Sequence, residues 1–148
     1  MSKLIGVVAW WLLGLTAQAG EPTLAPLLAT CAACHGAQGE GNPGLAAPRL
    51  AGQNAQYLAR QLGNFKTASR GYAAEDLAGQ RMAAIAQSLS AEQISHLAAH
   101  YAALPIVTES CADTPANPQG GARYQDTCAA CHGQFAQGYP ALQAPNLS

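Results

Sequence analysis

Charge is scarce in this 148-residue chain: Asp, Glu, Lys and Arg together make up 10% of it, and aromatic residues 6%. The few basic residues are scattered rather than gathered on one stretch, which excludes a nucleic-acid footprint. The shortage of aromatics, beside abundant Ala and Gly, leaves a small domain with few large side chains for a core. Something other than side chains can be expected to fill part of it. Also missing is any convincing run of alternating apolar and polar residues, so the chain reads as all-α. The apolar run Leu4–Leu15 falls short of the ~18 to 20 residues that span a bilayer, so no stable membrane insertion is expected.

That run follows Lys3 and ends on Ala17-Gln18-Ala19, the pattern of a secretory signal, so residues 1–19 are expected to be removed and the protein exported. Removing Lys3 from the seven basic residues leaves six (Arg49, Arg60, Lys66, Arg70, Arg81, Arg123) against eight acidic, a formal charge of minus two.

Five cysteines in an exported chain would ordinarily suggest disulfides, but an odd number leaves any such scheme incomplete. Four of them fall in two copies of one heptapeptide, TCAACHG, at Thr30–Gly36 and Thr127–Gly133. Sliding the chain by 97 positions aligns Cys31–Ala51 with Cys128–Ser148 without a gap, and 12 of the 21 pairs are identical. The chain therefore carries an internal duplication.

On a helical turn, residues i, i+3 and i+4 share a face, so Cys31, Cys34 and His35 point the same way, as do Cys128, Cys131 and His132. Two thiols one turn apart can form thioethers with the two vinyl groups of a haem while the adjoining imidazole meets the iron, which is the reading of Cys-x-x-Cys-His as c-type haem attachment. Three other readings stand beside it. Zinc could use the four thiols but has no need of a His after each pair. A thioredoxin-like redox pair wants a βαβ setting absent here, and structural disulfides leave the histidines without a role.

Asn54–Lys66 places Tyr57, Leu58, Gln61, Leu62 and Phe65 at helical spacing, and Lys66–Gly79 has the small, polar composition of a loop. Ser90 with Gln93 three residues later opens another helix, bearing Ile94, Leu97, Tyr101 and Leu104, which Pro105 ends. Tyr101 and Leu97 are expected to pack it against the helix of the first motif. Residues 106–120, with two prolines and no apolar period, read as a linker containing the unassigned Cys111, and a short helix should lead from Gly121 into the second motif.

The order CAACHG, then APRLAGQ at Ala47–Gln53, the isolated Met82 in QRMAAIAQSLS, and the closing AEQISHLAAHYAAL resembles class I cytochrome c, and more narrowly the tandem dihaem cytochrome c-four family. The resemblance implies a class I cytochrome c fold with one complete haem domain at residues 20–105 and the start of a second at 121–148, as in a fragment of a longer two-domain protein. It implies two covalent haem c groups, one on Cys31 and Cys34 and one on Cys128 and Cys131. His35 and Met82 would ligate the first iron and His132 the second. Pro48 and Pro145 would take the second ring nitrogen of each His, and Leu50 and Leu147 would pack on the haems. Met82 is the only methionine after Met1, so the sequence offers the second iron no such ligand. His96 and His100 are rivals for the first iron but read as ordinary helix residues; Arg49, Tyr57 and Arg60 are candidate partners for haem propionates.

Such a chain would be a periplasmic electron carrier, not an enzyme, exchanging electrons with a donor protein and a terminal oxidase or reductase. The alternatives are a dihaem peroxidase with one open iron and the cytochrome subunit of a larger dehydrogenase, such as flavocytochrome sulfide dehydrogenase.

Overall fold

A proline in the first turn and a glycine just past the last are the usual helix boundaries, and the first helix uses both: α1 (Ala25–His35) has Pro26 at its start and Gly36, at φ 85°, at its end. The computed structural model describes residues 24–106 and 117–148; residues 1–19, expected to be a signal, and Cys111 lie outside them. Helix α2 (Ala55–Lys66) is capped by the Asn54 carboxamide, which accepts from the backbone N–H of Gln56 and Tyr57 at 3.0 and 3.3 Å. Helix α4 (Ala91–Ala103) has the reciprocal Ser90–Gln93 capping box, with both bonds formed at 2.8 and 3.1 Å.

Between them runs α3 (Leu77–Gln87), where the sequence reading kept a loop up to Gly79. Asp76 starts this helix by accepting from the Gly79 N–H at 2.8 Å. Its inward positions Ala78, Met82, Ile85 and Ala86 follow the i, i+4, i+7, i+8 spacing that would have revealed it. Gly79 masked that pattern, and its small size has a packing reason. A Cβ on Gly71, itself at φ +74°, would lie 2.4 Å from the Gly79 carbonyl oxygen, so the preceding loop crosses α3 at backbone contact.

The core is built from Leu58 on α2, Leu89, and Ile94, Leu97, Ala98 and Tyr101 on α4, with Leu27, Leu28 and Cys31 of α1 packed against it. The expected contact of Tyr101 and Leu97 with the first motif helix is thus present. Among the described residues no large side chain is wholly buried, as the poverty in aromatics foreshadowed. The helices instead enclose a cavity of about 620 Å³.

The second copy opens with α5 (Pro118–Arg123), whose first turn falls inside the segment read as linker. It runs through a π turn (Tyr124–Cys128) into α6 (Ala129–His132). The chain from there to Ser148 lies against the first copy rather than apart from it. Gln53 Nε2 donates to the Asn146 carbonyl at 2.9 Å and its Oε1 accepts from the Asn146 N–H at 2.8 Å. Arg60 donates to the backbone and side chain of Gln143, and Arg49 to the carbonyl of Ser148. A segment too short to bury its own core is held by polar contacts to a neighbour that has one. Among the described residues the structure is all helix and turn, save two isolated antiparallel bridges.

Candidate functional site

Each Cys-x-x-Cys-His helix is followed by the same backbone loop. Gly36 and Gly133 leave the helices at φ 85° and 84°, and the N–H of Gly41 and Gly138 returns to the carbonyls of His35 and His132 at 2.7 Å in both copies. Single 3₁₀ turns follow at Pro43–Leu45 and Pro140–Leu142, pinned by the bridges Asn42 to Ala47 and Tyr139 to Ala144. These turns deliver the carbonyls of Pro48 and Pro145 to the histidines. Nδ1 of His35 lies 2.8 Å from the Pro48 oxygen, and Nδ1 of His132 lies 3.0 Å from that of Pro145. A carbonyl can only accept, so Nδ1 carries the proton and Nε2 keeps its lone pair for a metal.

The cavity collects most of the first copy's candidates. Cys31, Cys34 and His35 from α1 line it, with Pro48 and Leu50 from the loop and Met82 from α3. Leu58, Leu62, Phe65, Ile85, Leu97 and Ala98 add apolar wall. His35 is 5% exposed, Cys31 half-buried and Cys34 exposed, a gradient that runs from the floor to the edge. Burial pushes the Cys31 thiol above its usual range, opposed in part by a hydrogen bond with Tyr101. Burial first, and the nearby Cys31 second, push the Tyr101 hydroxyl well above the phenol range. A thiol and a phenol in this pocket are therefore both neutral at physiological pH.

On α4 the positions facing the cavity are Leu97, Ala98 and Tyr101. His96 and His100 are not among the lining residues, and His100 instead meets the Tyr101 ring edge-on at 5.2 Å. Of the three residues read as propionate partners, Arg49 and Tyr57 line the cavity, whereas Arg60 is occupied by Gln143. Sequence reasoning missed Gln53, Arg70, Asp76 and Arg81, which also line it. The guanidinium of Arg70 stacks over Phe65, 4.6 Å from the ring centre, and Arg81 reaches the Leu45 carbonyl at 3.4 Å. They lie in the loop after α2 and on α3, the region where the sequence pattern was weakest.

In the second copy Cys128, Cys131 and His132 lie on one continuous helical stretch, with Cys128 half-buried and Cys131 exposed. Pro145, Asn146 and Leu147 line the first copy's cavity, while Leu147 remains 54% exposed. The two residues expected to serve a second haem thus border the first site.

A mostly apolar cavity within the ~300 to 1,000 Å³ range of cofactor sites, with two thiols, an oriented imidazole and a thioether on its walls and guanidinium groups among its polar lining, fits a haem. Residues 25–104 match the family model described as cytochrome c, a family whose group is covalent haem c. The thiosulfate dehydrogenase electron acceptor of Thiomonas intermedia is 36% identical over 142 residues, covering 95% of this chain and 60% of that protein. Cytochrome c4 of Thiocapsa roseopersicina is 32% identical over 126 residues, covering 78% of this chain and 60% of its own length. The chain thus spans about three fifths of these curated relatives. The solved structure of Acidithiobacillus ferrooxidans cytochrome c4 matches with a TM-score of 0.66 at 29% identity, over 81% of this chain and 72% of that one. The architecture is that of class I cytochromes c, with cytochrome c4 its likeness in sequence and fold, and the chain belongs to the cytochrome c family.

Proposed function

We propose that this chain is a periplasmic electron carrier with two haem c groups, and that its first copy holds the better-defined redox centre. The observation that carries the reading is the convergence of Cys31, Cys34, His35 and Met82 on one cavity, with His35 oriented by Pro48. Haem c supplies a one-electron ferric/ferrous couple when bound. Cys31 and Cys34 would tether it, and His35 Nε2 and the Met82 thioether would hold its iron. Two protein ligands on the metal would leave no place for a substrate, and the thioether, a neutral ligand, would favour the reduced state. Leu50, Leu58 and Leu97 keep water from the site, which lowers the reorganisation that an electron transfer demands. Cys128, Cys131 and His132 would hold the second haem, with Pro145 orienting His132.

A second reading is favoured by the Thiomonas relative, whose name makes it an electron acceptor for thiosulfate dehydrogenase: the chain would take electrons from a dehydrogenase acting on a reduced sulfur compound. Stopped-flow mixing of the oxidised holoprotein with such a dehydrogenase and its substrate tests both readings. Reduction through the dehydrogenase, with no peroxide turnover by the carrier itself, is the expected result. Peroxide turnover would favour a dihaem peroxidase instead.

A further inference from the structure

Among the described residues α3 is the element that brings a methionine to the cavity, and it is held at both ends by hydrogen bonds. At its start Asp76 caps Gly79, Gln80 donates from Nε2 to the carbonyls of Ala73 and Ala74 at 2.8 and 3.2 Å, and the Gly71–Gly79 crossing leaves no room for a side chain. At its end stands one residue from another helix. Lys66, the last residue of α2, donates from Nζ to the carbonyl of Gln87 at 2.9 Å and to that of Leu89 at 2.7 Å. Gln87 is the final residue of α3, and Leu89 lies in the turn that leads to α4.

The last carbonyls of a helix have no partner within it and carry the negative end of its dipole, so an ammonium group is suited to them in both charge and hydrogen bonding. Lys66 meets one such carbonyl, that of Gln87, and with it the Leu89 carbonyl in the turn just beyond the helix. It thereby ties the end of α2, which carries Leu58, Leu62 and Phe65 on the cavity wall, to the end of α3, which carries Met82 and Ile85.

We propose that Lys66 is a positioning residue for the Met82 thioether: its two hydrogen bonds, to the carbonyls of Gln87 and Leu89, fix where α3 ends and so hold Met82 within reach of the iron. The inference rests on Met82 being the axial ligand of the first haem. A thioether is a weak ligand, and a small displacement of α3 costs it more than it would cost an imidazole. Loosening α3 should therefore release Met82 well before the fold itself gives way.

The test uses the oxidised holoprotein, titrated with imidazole and read by the long-wavelength thioether-to-iron absorption band. Within this sequence Met82 is the only methionine after Met1, and the part of the band that Met82→Ala removes is the part read for the first site. Lys66→Leu keeps the apolar stem and removes the donor. It should lower the imidazole concentration that half-bleaches the band about ten-fold, the scale of a charge-assisted hydrogen bond. Lys66→Arg should restore the wild-type value. Ser90→Ala, which weakens the α4 cap without touching α3, should lower the thermal midpoint yet leave the imidazole titration unmoved. An unchanged titration in Lys66→Leu, or an equal shift in Ser90→Ala, overturns the proposal. Met82→Ala provides the separate control: if it keeps the band, the ligand reading fails and the Lys66 inference falls with it.

Discussion

The two copies of the Cys-x-x-Cys-His loop share almost the same backbone but not the same surroundings. Ala46 and Gln143, at equivalent positions, both sit at φ 53°, and the His-to-Pro bond differs by 0.2 Å between copies, from 2.8 to 3.0 Å. Yet Leu45 is 44% exposed where Leu142 is 60%, and Leu50 is half-buried where Leu147 is 54% exposed. The loop's shape is therefore a local property, set by its glycines, its prolines and the His–Pro bond. Its burial is a property of α2, α3 and α4, which build a core with the first copy, whereas the second copy meets α2 from outside that core, at the turn Pro140–Leu142 and at Gln143.

The largest expected effect separates the copies at their tethers. Replacing Cys31 and Cys34 by Ala should remove the group that fills the 620 Å³ cavity, and with it most of the helical signal in far-ultraviolet circular dichroism. Replacing Cys128 and Cys131 should leave the first copy folded and its haem attached. Equal losses from both double variants would show that the copies do not differ in this way.

Met82→Ala comes next. It should lower the potential of the first haem by on the order of 0.1 V, within the ~0.8 V that axial ligands span, and leave the second haem's potential in place. Spectroelectrochemical titration resolves the two. A shift in both, or in neither, would break the assignment of Met82 to one site.

Much of this comparison was legible in the residues, because its signals are short and chemical. The heptapeptide, the prolines thirteen residues after each histidine, and the Ser90–Gln93 box each specify a local geometry that the structure contains. Helix α3 was not legible beyond Met82, because Gly79 weakens its pattern and the pressure for glycine comes from the Gly71 crossing, a tertiary contact. The docking of the second copy was hidden for the same reason. Nothing about Gln53 or Asn146 in sequence announces that the amide of one will pair with the backbone of the other across 93 residues.

That docking predicts a smaller effect. Gln53→Leu removes both bonds to Asn146, worth roughly 1 to 3 kcal/mol together. Amide exchange over residues 118–148 should accelerate about ten- to hundred-fold, while α2 and α4 keep their protection. Acceleration confined to α2 would mean that Gln53 serves the first copy alone. Smaller again, loss of the Ser90 cap should cost about 1 kcal/mol and lower the first copy's thermal midpoint by a few degrees.

The central claim is that both copies are haem anchors of one kind, and the intact mass of the purified holoprotein under denaturing conditions tests it most directly. The account predicts a polypeptide carrying two covalently retained haem groups and no free thiol among Cys31, Cys34, Cys128 and Cys131. A chain with one haem and a free Cys128–Cys131 pair, or one that gives up its haem in acidified organic solvent, would contradict it.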